Sequence, residues 1–222
     1  MTKLEKLTLV TTLGMLAGLG AIFFWVPTDE VQGFPQRIFY IHVPAAWIAY
    51  LAFTIVLIAS IAHLRTSSQR WDRLAHSSAE VGVVFCAVNI TTGMLWGRPV
   101  WGTYWTWDAR LTSMFVLFLT YLGYLTFRTL ATDPTRGARI AAVIGIVGFI
   151  DVPIVHFSVV WWRTLHPQPI VINPVGSPQL PPSMLITLMF MLAVFTLLFT
   201  LLLALRLRLA RLSEQVTALE AA

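Results

Sequence analysis

Six apolar runs, each about as long as a bilayer is thick, leave this chain little to fold into except a bundle of membrane-spanning helices. They lie near 7–26, 43–63, 77–95, 111–127, 140–160 and 183–205, with short polar stretches between them. One helical span takes about 20 residues, so six spans and their loops consume all 222 residues. Composition agrees: 57% of the chain is hydrophobic and only 11% charged, with a mean hydropathy of +0.76. No soluble domain carries that balance. The first run follows Lys3 and Lys6 and lacks a small-residue cleavage site, so it reads as a retained span rather than a signal peptide. Gly14 and Gly18 form a G-x-x-x-G pair within it, the ordinary device for close helix packing. The single cysteine, Cys86, rules out an internal disulfide framework or a cysteine metal site. No phosphate-binding loop motif occurs, so any ATP is spent by another chain, and this one is not expected to be an enzyme in the ordinary sense.

Orientation follows from the basic residues. Of the 15 lysines and arginines, eleven lie in the N-terminus, the loops near 65–73 and 128–139, and the tail from Arg206. The other three loops share four: Arg37, Arg98, Arg110 and Arg163. Positive charge collects on the cytoplasmic side, which predicts both termini cytoplasmic. The expected architecture is therefore an all-α integral membrane protein with six transmembrane helices, residues 1–222 forming one membrane domain. It carries an external tryptophan-rich loop at 96–110 and a C-terminal cytoplasmic helix at 206–222. The net charge of +5 is absorbed by this topology and by contact with lipid headgroups, so no nucleic acid partner is implied.

The external loop holds the densest chemistry. Trp96 to Asp108 reads W-G-R-P-V-W-G-T-Y-W-T-W-D, four tryptophans and a tyrosine broken by two glycines and a proline. Such a run argues against a core helix. If the part after Pro99 does coil, Trp101, Trp105 and Asp108 share one face. Two readings stand: a platform for a large planar apolar ligand, or an aromatic belt at the lipid–water boundary.

The topology places three polar features on the same outer side, in three loops: His42 just before Pro44, the aromatic stretch, and His166. Neutral imidazole ligates iron well, and haem iron takes two axial ligands from opposite faces. An interfacial histidine that is merely hydrogen-bonded is the alternative. Arg98 and Arg110 bracket the aromatic stretch and suit two propionates, although arginines at helix ends also cap carbonyls or meet lipid phosphate. His63 and His76 fall on the cytoplasmic side, where a solvated role is the default. Within the fifth run, Asp151 precedes Pro153 by two residues and His156 follows one helical turn on. The carboxyl there serves either a proton path, with Asn89 or a threonine as partner, or as polar glue between helices. The tail repeats apolar residues at 205, 209, 212, 216 and 219, a short heptad stripe for docking on a partner or the membrane surface.

The tryptophan-rich signature from Trp96 to Asp108, the I-H-V-P-A-A-W around His42 and the T-L-H ending at His166 resemble, in order, the motifs of the CcmC family of haem-handling proteins in cytochrome c biogenesis. The resemblance covers nearly the whole chain. It implies haem b held at the outer face of the cytoplasmic (inner) membrane and presented to a haem chaperone, CcmE. It also implies an assembly with CcmA-, CcmB- and CcmD-type subunits. By motif match, His42 and His166 become the axial ligands of the haem iron, and Trp96, Trp101, Trp105, Trp107 and Asp108 the platform. Two rival classes remain: a permease subunit with a substrate or proton path at Asp151, and a haem-containing quinone oxidoreductase.

Overall fold

A computed structural model describes residues 1–166 and 180–220. Seven α-helices make up the described chain: α1 (Lys3–Gly20), α2 (Phe39–Thr66), α3 (Gln69–Trp101), α4 (Ala109–Leu130), α5 (Pro134–Gly148), α6 (Asp151–Trp161) and α7 (Pro182–Glu220). A π-helical turn, Ala21–Trp25, extends α1, and a 3-10 turn, Phe34–Ile38, leads directly into α2. With α5 and α6 counted as one broken span, six helices among the described residues are long and apolar enough to cross a membrane. The all-α, six-span expectation holds.

The central pair is α2 and α3, joined by a two-residue turn at Ser67 and Ser68. Ser67 takes a left-handed conformation and its N–H closes α2 on His63 O at 2.7 Å. Buried His63 bonds through Nδ1 to Ser68 O at 3.1 Å, so it ties this turn rather than standing in solvent. Around the pair, α5 and α7 pack on α2, while α4 packs on α3, α5 and α6. Phe53 stacks on Tyr121 at 3.7 Å in the middle of the bundle. Helix α1 rests on α7, where Gly14 and Gly18 face Val194 and Met191; the glycine pair serves packing inside the chain.

Three expectations need correction. The fifth span, a single apolar run in the sequence, is not one helix: it breaks at Phe149–Ile150, and α6 restarts at Asp151 with Pro153 in its first turn. Proline lacks the N–H that would have continued the helix, and its ring excludes the preceding turn's carbonyl, so the interruption falls upstream of it. The tail is not a separate helix, because α7 runs from the membrane to Glu220 without interruption, residues 221–222 lying outside the described chain. Finally, the stretch 96–110 is not wholly a loop. Helix α3 continues through Trp96, Gly97 and Pro99 to Trp101, and Gly102 caps it at φ +78°. A proline so near a helix end forfeits one hydrogen bond and no more, which the last turn tolerates.

One end of the bundle is strapped by ions. Arg128 pairs with Asp72, Arg73 with Glu214, and Arg206 with Glu80, linking α3 to α4 and to α7. His76 lies 3.7 Å from Glu80 in the same group. The heptad stripe on α7, from Leu205 to Leu219, stays exposed beside these straps.

Candidate functional site

At the end of the bundle opposite the ion pairs, α2 begins, α3 ends, α4 begins and α6 ends. His42 is the fourth residue of α2, inside the helix rather than in a preceding loop, because the 3-10 turn at Phe34–Ile38 starts the coil early. Its Nδ1 stands 3.0 Å from Asn89 O and 3.1 Å from Thr92 Oγ1. A carbonyl only accepts, so Nδ1 carries the proton and donates. Nε2 therefore keeps its lone pair, as in metal-binding histidines oriented by a carbonyl behind them. Asn89 Nδ2 also donates to His42 O at 3.0 Å, and not to Asp151. Gly93 completes this face of α3: a Cβ there would stand 3.0 Å from His42 Cε1, so the close approach requires glycine.

His166 approaches from the coil after α6. Its backbone N–H donates to Thr164 Oγ1 at 3.1 Å, and Leu165 N–H reaches Asp108 Oδ2 at 3.4 Å. Nδ1 of His166 is buried and has no hydrogen-bond partner among the described residues. The two imidazole rings come together, their centres 6.4 Å apart and their planes 31° from parallel. Burial and the positive charge of Arg110 press the His166 imidazole down to about 4, against the opposing pull of Asp108. It is neutral at ordinary pH, which is the ligating form.

The tryptophans divide. Trp96 packs edge-on against His42 at 5.8 Å and donates its indole N–H to Gln32 Oε1 at 2.9 Å. Trp101 stands 5.0 Å from the His166 ring. Trp105 turns the other way, to Trp107 at 5.5 Å and Phe115 at 5.8 Å, and Trp107 is 74% exposed. The face joining Trp101, Trp105 and Asp108 does not form, because the helix has ended at Gly102. Asp108 is a helix cap: Oδ1 accepts from Leu111 N–H at 3.0 Å while Oδ2 reaches the His166 segment.

The arginines divide as well. Arg110 shares a small cavity with His42 and His166 and donates to Val155 O at 2.8 Å and His156 O at 3.2 Å. Arg98 points elsewhere, bonding Gly102 O at 2.5 Å and lying over the Tyr104 ring at 5.7 Å. Gln32, Gly93 and Thr92 escaped the sequence reading. For Gln32 the available signal was Asp29 ahead of Gly33, since Asp29 Oδ1 accepts from Val31 and Gln32 N–H and shapes that turn. The proline-rich stretch beyond His166 lies outside the described residues up to 179.

Comparison with known proteins settles the lineage. The family model for CcmC, heme exporter protein C, matches residues 2–222. The chain belongs to the CcmC family. It is 44% identical over 171 residues to heme exporter protein C of Bradyrhizobium diazoefficiens, spanning 77% of this chain and 65% of that relative. It is 40% identical over 172 residues to a putative cytochrome c biosynthesis ccmC-like mitochondrial protein of Marchantia polymorpha, covering 77% and 72%. A third relative, heme exporter protein C of Haemophilus influenzae, is 35% identical over 214 residues, 96% of this chain and 86% of its own. Like the family, this is a multi-pass membrane protein, and the resemblance first read from its motifs extends along the chain.

Proposed function

We propose that this CcmC-family chain handles haem in cytochrome c maturation, gripping haem b as a transported substrate between His42 and His166. It then delivers the haem to a CcmE-type chaperone. The observation that carries this reading is the meeting of the two imidazoles, from segments more than a hundred residues apart, with ring centres 6.4 Å apart. Two imidazoles binding one metal end-on, with bonds of about 2 Å, stand about 6 Å apart centre to centre. Among the described residues no group of three or more His, Cys, Asp or Glu side chains gathers around a metal position. A metal held by two histidines needs its remaining ligands from elsewhere, and a porphyrin supplies four.

Trp96 and Trp101 give the macrocycle apolar flanks, and Arg110 is the cation best placed for a propionate. The shared cavity is only about 20 Å³, far below the roughly 300–1,000 Å³ of ligand pockets. Haem therefore enters when the histidines part. The charge bias of the loops supports placing this end of the bundle outside the inner membrane, with both termini cytoplasmic. The ion-strapped end and α7 would then face CcmA-, CcmB- and CcmD-type subunits that spend the ATP.

The absorption spectrum of the purified protein tests the reading. Wild type is expected to carry a Soret band of bis-histidine haem, and His42→Ala and His166→Ala each to lose most of it. A wild-type spectrum in both variants would sink the assignment.

A further inference from the structure

The segment between α1 and α2 is tied down at its base and at its tip. At the base, Arg37 donates from Nε to Ile22 O at 3.0 Å and from Nη2 to Val26 O at 3.3 Å, taking up carbonyls at the end of the first span. At the tip, Asp29 Oδ1 accepts from Val31 N–H at 2.9 Å and from Gln32 N–H at 2.7 Å. Gly33 N–H closes back on Asp29 O at 3.0 Å, with Gly33 at φ +65°, a turn that glycine enters without strain. Val31 is left 94% exposed, while the side chain of Gln32, half-buried, reaches α3. There the indole N–H of Trp96 donates to Gln32 Oε1 at 2.9 Å. Such a bond is not automatic for this stretch: Trp105 keeps its indole N–H buried without a partner among the described residues. The Trp96 ring in turn lies edge-on to His42, centres 5.8 Å apart and planes at 71°.

Asn89 and Thr92 fix where Nδ1 of His42 points. A bond at one ring atom still leaves the imidazole plane free to rock about it. An indole edge against the ring removes that freedom, provided the indole is itself held. An indole N–H only donates, so holding it takes an acceptor, and Gln32 supplies one from a turn whose backbone is already fixed. We propose that Gln32 is a positioning residue for His42: by accepting the Trp96 N–H it holds the indole edge-on, and the indole holds the imidazole plane. The segment between α1 and α2 thus joins α3 in presenting Nε2. That Nε2 is presented to haem iron rests on the reading above.

Replacing Gln32 by residues of its own size tests this in the haem-free protein. Gln32→Leu removes the acceptor and Gln32→Glu keeps an acceptor oxygen, while both leave the backbone N–H on Asp29. In NMR of protein labelled at tryptophan and histidine, the Trp96 N–H signal is assigned by its loss in Trp96→Phe. That proton is expected to exchange with heavy water several-fold faster in Gln32→Leu than in wild type, and the His42 ring signals to shift and broaden. Gln32→Glu should restore both. In a Trp96→Phe background, Gln32→Leu should move the His42 signals no further, because the link is already cut. His42 signals that ignore Gln32→Leu, or that move equally with and without the indole N–H, overturn the proposal. If Gln32→Leu fails to fold, the wild type decides: a Trp96 N–H exchanging as fast as a free indole also overturns it. In haem-loaded protein, Gln32→Leu should release haem to apomyoglobin several-fold faster than wild type or Gln32→Glu, and equal rates in all three would overturn the role in presenting the ligand. A wild type that takes up no haem would sink the haem reading, while the haem-free signals still decide the positioning.

Discussion

The two histidines meet at one point but are held in opposite ways. His42 is built into a helix, with Asn89 and Thr92 behind its ring and Gly93 against its edge, all on one face of α3. Among the described residues, His166 hangs on a coil tied by one threonine turn and a 3.4 Å contact to Asp108, and its Nδ1 has no partner. On the proposed reading, the contrast suits a carrier that must release what it binds, with one imidazole on a rigid scaffold with its tautomer set and the other on a tether. The cavity between them holds no macrocycle as it stands, so the same reading assigns the opening to the tethered side.

The largest effect should come from spoiling the rigid side. Gly93→Leu drives a side chain into the space of His42 Cε1 and displaces the ring. Its haem content, read from the Soret band, should fall as far as that of His42→Ala, by roughly tenfold or more. Retention of wild-type haem would mean that the close approach is incidental. Asn89→Ala is the gentler cut, since it removes the bond to His42 O but leaves its own backbone carbonyl on Nδ1. Loss of a supporting group behind a metal ligand costs about 10–100-fold in affinity, and haem titration should place Asn89→Ala near the lower figure.

Much of this was legible in the chain. Six spans follow from hydropathy alone, because burying about 20 apolar residues per segment admits few alternatives. That His42 and His166 would come together was legible through their motifs, I-H-V-P and T-L-H, and through a charge bias that put both on one side. What hid was local. The tryptophan stretch looked like a loop because glycine and proline read as breakers, yet a breaker in a final turn costs little, and α3 runs through to Trp101. The split of the tryptophans followed from that ending, which sends Trp105 and Trp107 toward Phe115 rather than toward the histidines. Gly93 was invisible because one chain does not show which helix faces another at contact distance.

Asp108 sharpens the comparison from the tethered side. It caps α4 through Oδ1 and touches the His166 segment through Oδ2. Asp108→Ala should cost about 1 kcal/mol from the lost cap. It should also speed transfer of haem to an acceptor protein such as apomyoglobin by loosening the tether. Asp108→Asn preserves most of the cap, so it should match wild type in thermal unfolding while still releasing haem faster. Equal release rates in wild type and both variants would leave Asp108 as a cap and nothing more.

The smallest effect concerns protonation of His166 in the haem-free protein. Its imidazole sits at about 4, lowered first by burial and then by Arg110, against an ordinary value of about 6.5 in the unfolded chain. The unfolded state therefore binds more protons than the folded one between those values. Stability should rise with pH across about 4 to 6.5 and level off above it, the contribution being lost as acid protonates the unfolded histidine first. Histidine-labelled NMR should show His166 neutral from pH 8 down to near 5. Arg110→Gln should move its titration upward, toward the ordinary value, by removing the positive neighbour. Asp108→Asn should move it the other way, since the carboxylate is what pulls it up. Two opposite shifts from Arg110 of α4 and its cap Asp108 would show that the tethered imidazole is kept neutral by its surroundings; a titration near 6.5 in every variant would place it in open water, with no enclosed partner for His42.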